Sequence, residues 1–138
     1  KLGFAVKDII DNMPGAFIVY RADKENDEIL LANSELLRLT GCKNMDELLA
    51  YTGKSFCNLI RRDEQESCQK SIWSQIDGGN VNDYSFFHMR KADGTYISVL
   101  DHGRIVDSVR NGRVFYVMIM DLNALQRHYG DCLELVEK

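Results

Sequence analysis

The stretch Ile29–Asp63 constrains the fold more than any other part of the chain. It begins with a short apolar strand and continues into a helix for which Asn33 is a good N-cap, because its side chain can accept a free backbone N–H. Gly41 suits the position that ends such a helix. Asn44 with Glu47 then resembles a capping box, with Asn in place of Ser or Thr. This order predicts a strand followed by short capped helices.

Four apolar residues near the N-terminus fall on one face of a helix, and Pro14 with Gly15 ends that helix. They are Val6, Ile9, Ile10 and Met13. Farther along, Asp63 with Glu66 repeats the capping pattern and predicts the start of the longest internal helix. Cys68, Ile72 and Ile76 form an apolar stripe on that helix, with Trp73 beside it.

Alternating apolar residues predict five strands. Their ranges are Phe17–Tyr20, Ile29–Ala32, Tyr84–Arg90, Tyr96–Val106 and Arg113–Met120. The last three strands are joined by segments that contain the hairpin signals Asp93-Gly94 and Asn111-Gly112. The fifth strand is apolar on both faces, which predicts a central position with both sides covered. The N-terminal helix is the natural second cover.

Composition and charge exclude several classes of function. The 138 residues fit one domain, which buries roughly 70% of the surface that its unfolded chain exposes. A net charge of −4 argues against nucleic acid, because phosphates bind a cationic face. The longest uninterrupted apolar stretch, Val114–Met120, is far shorter than the ~20 residues of a membrane helix. No direct membrane insertion is expected.

The cysteines favour a reducing compartment. Cys42, Cys57, Cys68 and Cys132 lack the Cys-x-x-Cys or Cys/His spacing of a zinc site, so no metal is predicted. Charges run through the apolar positions of the first twelve residues, so no secretory signal is expected. Reduced thiols and a cytoplasmic location follow as expectations. The chain does not begin with Met, and we expect it to be a piece of a longer protein.

The tail after Asp121 has a different periodicity. Its apolar residues step by three and four, like the seam of a coiled coil two heptads long. They are Leu122, Leu125, Tyr129, Cys132 and Val136. Two heptads are too few to prove a coiled coil, so a helix that packs back on its own domain stays an equal alternative.

The order of elements over residues 16–121 resembles the PAS domain. Ile29–Gly41 is similar to the strand–Asn–helix–Gly stretch of that family, and Ser55–Asp63 to its short segment before the long helix. Met89–Leu100 is similar to its Asp-Gly hairpin, although Ser98 stands where many members carry Trp. The tripeptide Asp121-Leu122-Asn123 resembles its Asp-hydrophobic-Ser/Thr junction with an output helix.

The resemblance implies an α+β fold with a five-stranded antiparallel sheet of strand order 2-1-5-4-3 and helices on one face. It implies a flanking helix in residues 1–15, a PAS domain in 16–121 and a signalling or linker helix in 122–138. Such domains commonly form homodimers through the N-terminal helix and the outer sheet face. They precede histidine kinases of two-component systems, or the diguanylate cyclases and phosphodiesterases of cyclic di-GMP signalling. Catalysis is not expected of the domain itself.

Haem is disfavoured as a cofactor. A haem-binding PAS domain most often takes its axial ligand from a His on the long helix. Residues 63–77 contain no His. His88 and His102 fall on strands and His128 in the tail, and alternation places His88 opposite Phe87, away from the interior.

A flavin of the light-oxygen-voltage (LOV) type is also disfavoured. Its reactive cysteine lies in a Gly-x-Asn-Cys-Arg-Phe-Leu-Gln motif. The segment Gly53–Ile60 offers Cys57 one residue late and lacks the Asn, Arg and Gln. Adduct formation depends on the placement of the sulfur, so the shift is serious.

An unassigned pocket is the remaining candidate site. Strand alternation, together with the long helix, predicts that seven side chains line it: Trp73, Ile76, Phe87, Met89, Tyr96, Ser98 and Leu100. Aromatic rings with a few hydroxyls suit a small, partly apolar ligand. The alternative, that these side chains only fill the core, has equal weight.

Two functions therefore compete. The first is a sensory module that binds a small ligand and relays the change to an output domain in the same chain. The second is a ligand-free module for dimerisation and protein interaction. An enzyme is disfavoured, because the carboxylate pairs Asp46/Glu47 and Asp63/Glu64 sit in first turns of helices, where acids favour the positive end of the helix dipole.

Overall fold

The computed structural model describes the backbone of residues 3–137 and the side chains of residues 3–132. Lys1, Leu2 and Lys138, which belong to the predicted flanking segments, lie outside the described residues, as does the side chain of Val136 in the predicted heptad seam. None of the described helices is long and apolar enough to cross a membrane.

Five strands and five α-helices make up the described chain. The strands are β1 (Ala16–Arg21), β2 (Ile29–Ala32), β3 (Asn82–Arg90), β4 (Tyr96–Ser108) and β5 (Gly112–Asp121). The helices are α1 (Val6–Asp11), α2 (Ser34–Thr40), α3 (Met45–Thr52), α4 (Gln65–Asp77) and α5 (Leu122–Glu137). Two 3-10 helices, Phe56–Leu59 and Arg62–Glu64, lead into α4.

The strands form one antiparallel sheet in the order β2-β1-β5-β4-β3, which confirms the predicted topology. β5 is central, and its odd-numbered residues Phe115, Val117 and Ile119 point into the core. Helices α2 to α4 and the 3-10 helices cover this inner face. Their buried residues include Leu36, Leu48, Phe56, Leu59 and Ile72.

The predicted cap at Asn33 is present and does more than start a helix. Its Oδ1 accepts from the Leu36 backbone N–H at 3.0 Å. Its Nδ2 donates to the carbonyls of Ile10 and Gly15, at 2.8 and 2.9 Å. This buried amide therefore joins the N-terminal segment to α2. Because neutral buried amides need such partners, the site tolerates few other residues.

Two details of the helices differ from the sequence prediction. Asp63 and Glu66 do not form a capping box: Asp63 accepts from Arg61 at 2.7 Å, and α4 starts directly from a 3-10 turn without a side-chain cap. Helix α1 is also shorter than predicted, since it ends at Asp11 and leaves Met13 beyond it. A single turn and a half of helix has too few internal hydrogen bonds to extend without tertiary support.

The outer face of the sheet is not covered by α1, which corrects the predicted second cover. Helix α1 packs against α2 instead. Phe86, Leu100 and Met120 form one row across β3, β4 and β5 on the outer face, and Phe86 is 53% exposed. Tyr116 on the same face is 45% exposed. The described chain thus leaves an aromatic and aliphatic surface open.

Candidate functional site

The candidate site is the interior between α4 and the inner face of β3 and β4. Four of the seven predicted pocket residues lie here. Phe87 and Met89 are fully buried on β3, and Trp73 and Ile76 are partly buried on α4 against the core. The Trp73 and Phe115 rings meet edge to face, 5.5 Å apart. This contact packs α4 against the central strand β5.

The other three predicted residues, Tyr96, Ser98 and Leu100, lie on the opposite face of the sheet. In the β3–β4 hairpin, His88 pairs with Ser98 and Phe86 with Leu100, and directly paired residues share a face. Because His88 and Phe86 point outward, the three β4 residues do so as well, and the prediction that they face the interior is wrong. The connection of residues 91–95 sets this register: odd-numbered residues face inward on both strands.

The corrected register brings two carboxylates into the interior that sequence reasoning missed. Asp83 on β3 is 1% exposed and Asp101 on β4 is 2% exposed. Asp83 is in phase with Phe87 and Met89, so alternation along β3 alone could have indicated it. No comparable signal was available for Asp101, because its phase depends on the hairpin register.

These carboxylates are short of partners. Both oxygens of Asp101 and Oδ2 of Asp83 are buried and make no hydrogen bond in the described structure. A Cβ placed on Gly103, the residue paired with Asp83, would lie 2.6 Å from Asp83 Oδ2. Only glycine therefore leaves room for the Asp83 carboxyl at that point.

Burial controls the ionisation of this pair. Removal from water raises the pKa of Asp83 to about 6. It raises the pKa of Asp101 well above the usual range, and the neighbouring Asp83 charge adds to the effect. The same burial, with both carboxyls close by, raises the pKa of the Tyr20 hydroxyl on β1. The interior thus holds acidic groups that retain protons more firmly than in water.

Polar atoms on α4 and β3 continue the site toward the surface. The Oγ of Ser85, which pairs with Asp101 across the hairpin, and Nε2 of Gln69 are also buried without a partner. Ser85 and Cys68 line a cleft of about 270 Å³ between α4 and β3, with Glu64 at its border. Burial raises the pKa of the Cys68 thiol to about 12, so this sulfur stays protonated at neutral pH.

Cys57 lies in a different environment. It lines a groove of about 640 Å³ together with Asp27, Gln69 and Lys70. Its backbone N–H donates to Asp27 Oδ2 at 2.8 Å. Burial, with the Asp27 charge beside it, raises the pKa of the Cys57 thiol. An anionic, reactive sulfur is not favoured here. That the domain binds neither haem nor a LOV-type flavin stays a prediction.

The histidines on strands lie on the outer face. His88 Nδ1 is 2.8 Å from Glu64 Oε2, and its ring meets Phe86 edge to face. The His102 ring stacks on Tyr84 at 4.5 Å. His88 therefore points away from the interior, as alternation predicts. Among the described residues, no three His, Cys, Asp or Glu side chains are placed to hold a metal ion.

The junction with the tail is built by Asp121. Its Oδ1 accepts from the backbone N–H groups of Asn123 at 2.9 Å and Ala124 at 3.3 Å, so it caps α5. Asp121 pairs with Val99 across the sheet, and Asp101 follows Val99 by two residues on β4. The interior carboxylate on β4 and the start of the tail helix, at the end of β5, are therefore diagonal neighbours on adjacent strands.

Comparison with known proteins identifies the family. A family model described as the PAS domain matches residues 6–74, half of the chain. No curated protein sequence matches. The chain belongs to the PAS domain family, whose members are sensory modules typical of signalling proteins.

Three similar solved structures support the fold. The PAS domain of an HTR-like protein from Haloarcula marismortui has a TM-score of 0.64 and 20% identity, covering 83% of this chain and 87% of that one. The PAS domain of a LuxR-family transcriptional regulator from Burkholderia thailandensis, in complex with ethanol, has a TM-score of 0.66 and 20% identity, covering 87% and 99%. The LOV protein of Rhodobacter sphaeroides has a TM-score of 0.64 and 18% identity, covering 84% of this chain but only 64% of that protein.

Proposed function

We propose that this chain is the ligand-binding sensory module of a larger, cytoplasmic signalling protein. Residues 16–121 would form the sensor, with 1–15 as a flanking segment and 122–138 as the helix that leads to a downstream kinase, cyclase or phosphodiesterase domain. The observation that carries the proposal is the set of buried, unpartnered polar atoms in the interior, led by Asp101. Such atoms are costly unless a partner satisfies them.

The relay would run along β4 and β5. A ligand that binds at Asp101 shifts β4, and Val99 on this strand pairs with Asp121, which caps α5. Binding would then change the fraction of molecules in which Asp121 caps α5. A population shift of this kind requires that the ligand contact the two states differently. The ethanol complex of the similar Burkholderia domain is an example of a small molecule bound to this kind of fold.

Four free cysteines support the proposed location. Cys42 and Cys68 are buried, Cys57 is half-buried and Cys132 is exposed, all without a disulfide. Exposed thiols persist in reducing compartments. We propose that the domain performs no catalysis of its own, as is general for the sensory PAS family.

The test combines binding and relay in the whole chain. A library of neutral, anionic and cationic metabolites is screened for an increase in melting temperature. A fluorophore on Cys132, in a chain whose half-buried Cys57 is replaced by Ser, reports changes in α5. We expect at least one compound to raise the melting temperature and to change the fluorescence. Stabilisation without a fluorescence change contradicts the relay, and no stabilisation by any compound contradicts the ligand-binding role.

Ligand-free dimerisation is the second candidate, and a specific surface favours it. Val6 on α1 is 74% exposed and Ile9 is 47% exposed, while Ile10 and Met13 are half-buried. With the open outer sheet face, they offer apolar surface that a second copy could bury. Sedimentation velocity decides: a strict monomer at high concentration contradicts dimerisation through either surface.

A further inference from the structure

The buried carboxylates point to one class of ligand. We propose that the interior between α4 and the inner face of β3 and β4 binds a small organic cation, with its ammonium or amidinium N–H groups donated to Asp101 and Asp83. This inference rests on the proposed sensory function, because it names the ligand class for the same interior.

The first argument is the deficit of hydrogen bonds. More than nine in ten buried polar groups in proteins have a partner. Here Asp101 Oδ1, Asp101 Oδ2 and Asp83 Oδ2 have none, and neither residue forms an ion pair with a described Lys, Arg or His. The Ser85 hydroxyl, on the residue paired with Asp101, can supply one donor. The remaining acceptor oxygens can still accept the several N–H groups of an ammonium or amidinium ion.

The second argument is convergence. Ser85 pairs with Asp101, and Gly103 pairs with Asp83, so the two carboxyls are diagonal neighbours on one face of the hairpin. Such neighbours lie about 7–8 Å apart at the backbone, within reach of a single bound group. The missing side chain at Gly103 leaves the Asp83 carboxyl flat against β4, directed along the same face as Asp101.

The third argument concerns access and size. The cleft between α4 and β3 reaches Ser85, the residue paired with Asp101, and so leads from the surface toward that carboxylate. Glu64 also lines the cleft, but Arg61 and His88 already pair with its carboxylate. At about 270 Å³ it is slightly smaller than the pockets that take drug-sized molecules, which favours a small ligand. Phe87 is fully buried on the same inner face of β3 and would meet the carbon part of such a molecule in the interior.

Binding of a cation should release protons. The groups near the carboxyls are themselves acidic or neutral: Tyr20 on β1, Cys68 on α4 and Ser85 on β3. Burial raises the pKa of both Asp83 and Asp101, so the empty interior holds protons that a cation displaces. Affinity for the cation should therefore increase with pH from 5 to 8, because fewer protons remain to be displaced.

The experiment uses two isosteric pairs: benzamidinium with neutral benzamide, and n-butylammonium with n-butanol. Melting temperature and titration calorimetry are measured at pH 6 and pH 8, with buffers of different ionisation enthalpy to count released protons. We expect stabilisation by the cation of at least one pair and not by its neutral partner, at least tenfold tighter binding at pH 8, and proton release.

Variants locate the effect. Asp101→Asn keeps the shape of the side chain and removes its charge, and it should weaken the binding of the cation at least tenfold. Asp83→Asn is the second variant. The matched control is Asp107→Asn, because Asp107 is an exposed carboxylate on β4, the strand of Asp101. Circular dichroism verifies folding. Equal binding of cation and neutral partner, unchanged affinity in both interior variants, or binding of Mg²⁺ or Ca²⁺ but of neither cation overturns the inference.

The two proposals fail separately. If the metabolite library yields neutral or anionic ligands that change the fluorescence at Cys132 while no cation binds, the sensory function stands and the organic-cation inference is wrong. If no compound of any charge binds, both the inference and the ligand-binding role are contradicted.

Discussion

The two faces of the β3–β4 hairpin have opposite relations to water. The inner face carries two carboxylates in a buried environment, beside Phe87 and Met89. The outer face carries Tyr84, Phe86 and Tyr96 largely exposed. Polar groups usually lie outside and aromatic rings inside. Both departures from that rule occur on one hairpin. We infer that each face binds a partner: a small ligand on the inner face and a protein surface on the outer face.

The largest expected difference between the faces concerns stability. Phe87 and Phe86 are adjacent on β3, one fully buried and one 53% exposed. Phe87→Ala should lower the free energy of unfolding by about 3–5 kcal/mol, because it leaves a cavity in the core. Phe86→Ala should cost less than about 1 kcal/mol in the monomer. Urea denaturation at low protein concentration measures both; equal losses would contradict the assignment of faces.

The second difference is in pH dependence, and it comes from the inner face. Asp83 has an ordinary pKa of 3.8 when unfolded and about 6 when folded. The folded state therefore binds the Asp83 proton more tightly than the unfolded state does. This adds to the free energy of unfolding below about pH 4, and the added stability is lost as pH rises through about 6. The loss is about 3 kcal/mol, at about 1.4 kcal/mol per pKa unit. Asp101 extends the decline to higher pH, since its pKa is raised further.

Urea denaturation between pH 4.5 and 8 measures this decline. Asp83→Asn should flatten the part of the curve below pH 7, whereas Asp107→Asn should leave it unchanged. Several carboxyls, such as the exposed Asp63 and the half-buried Glu35, have lowered pKa values and act with the opposite sign, but only below about pH 4.5. A stability that rises from pH 5 to 7 would contradict the buried, unpartnered state of the carboxylates.

The third prediction concerns the outer face as a contact surface. If the chain forms dimers through the row of Phe86, Leu100 and Met120, Phe86→Glu should raise the dissociation constant at least tenfold, about 1.4 kcal/mol. Val109→Glu is the matched control, because Val109 is exposed in the β4–β5 turn, outside that row. Sedimentation equilibrium measures both. If Val6→Glu abolishes association and Phe86→Glu does not, the N-terminal helix is the interface instead.

The sequence was sufficient for the order of elements but not for the phase of β4. Capping by Asn33 and Asn44, helix-ending glycines and hairpin signals are local, so the strand order could be predicted with the family resemblance. Along β4, however, Ile97 and Val99 alternate with Tyr96 and Leu100, so both phases contain apolar residues. Only the register across residues 91–95 decides between them.

The same ambiguity hid the candidate site. An aspartate in phase with Ile97 and Val99 contradicts simple patterning, which assigns carboxylates to the solvent face. Functional sites are where such local rules are expected to fail. In this chain Asp101 departs from the pattern, and both the sensory role and the organic-cation site depend on this residue. The three residues that patterning selected lie on the outer face instead: Tyr96, Ser98 and Leu100.

The smallest predicted effect tests whether the junction connects the inner face to the tail. Asp121→Ala removes the acceptor for the N–H groups of Asn123 and Ala124, and it should destabilise the start of α5 by about 1 kcal/mol. Amide exchange at those two residues should become about fivefold faster. Asp121→Asn keeps a side-chain oxygen in place and should exchange nearly as slowly as the unchanged chain. If Ala and Asn at this position give the same exchange rates, the cap does not hold the helix, and a signal from β4 would need another path into α5.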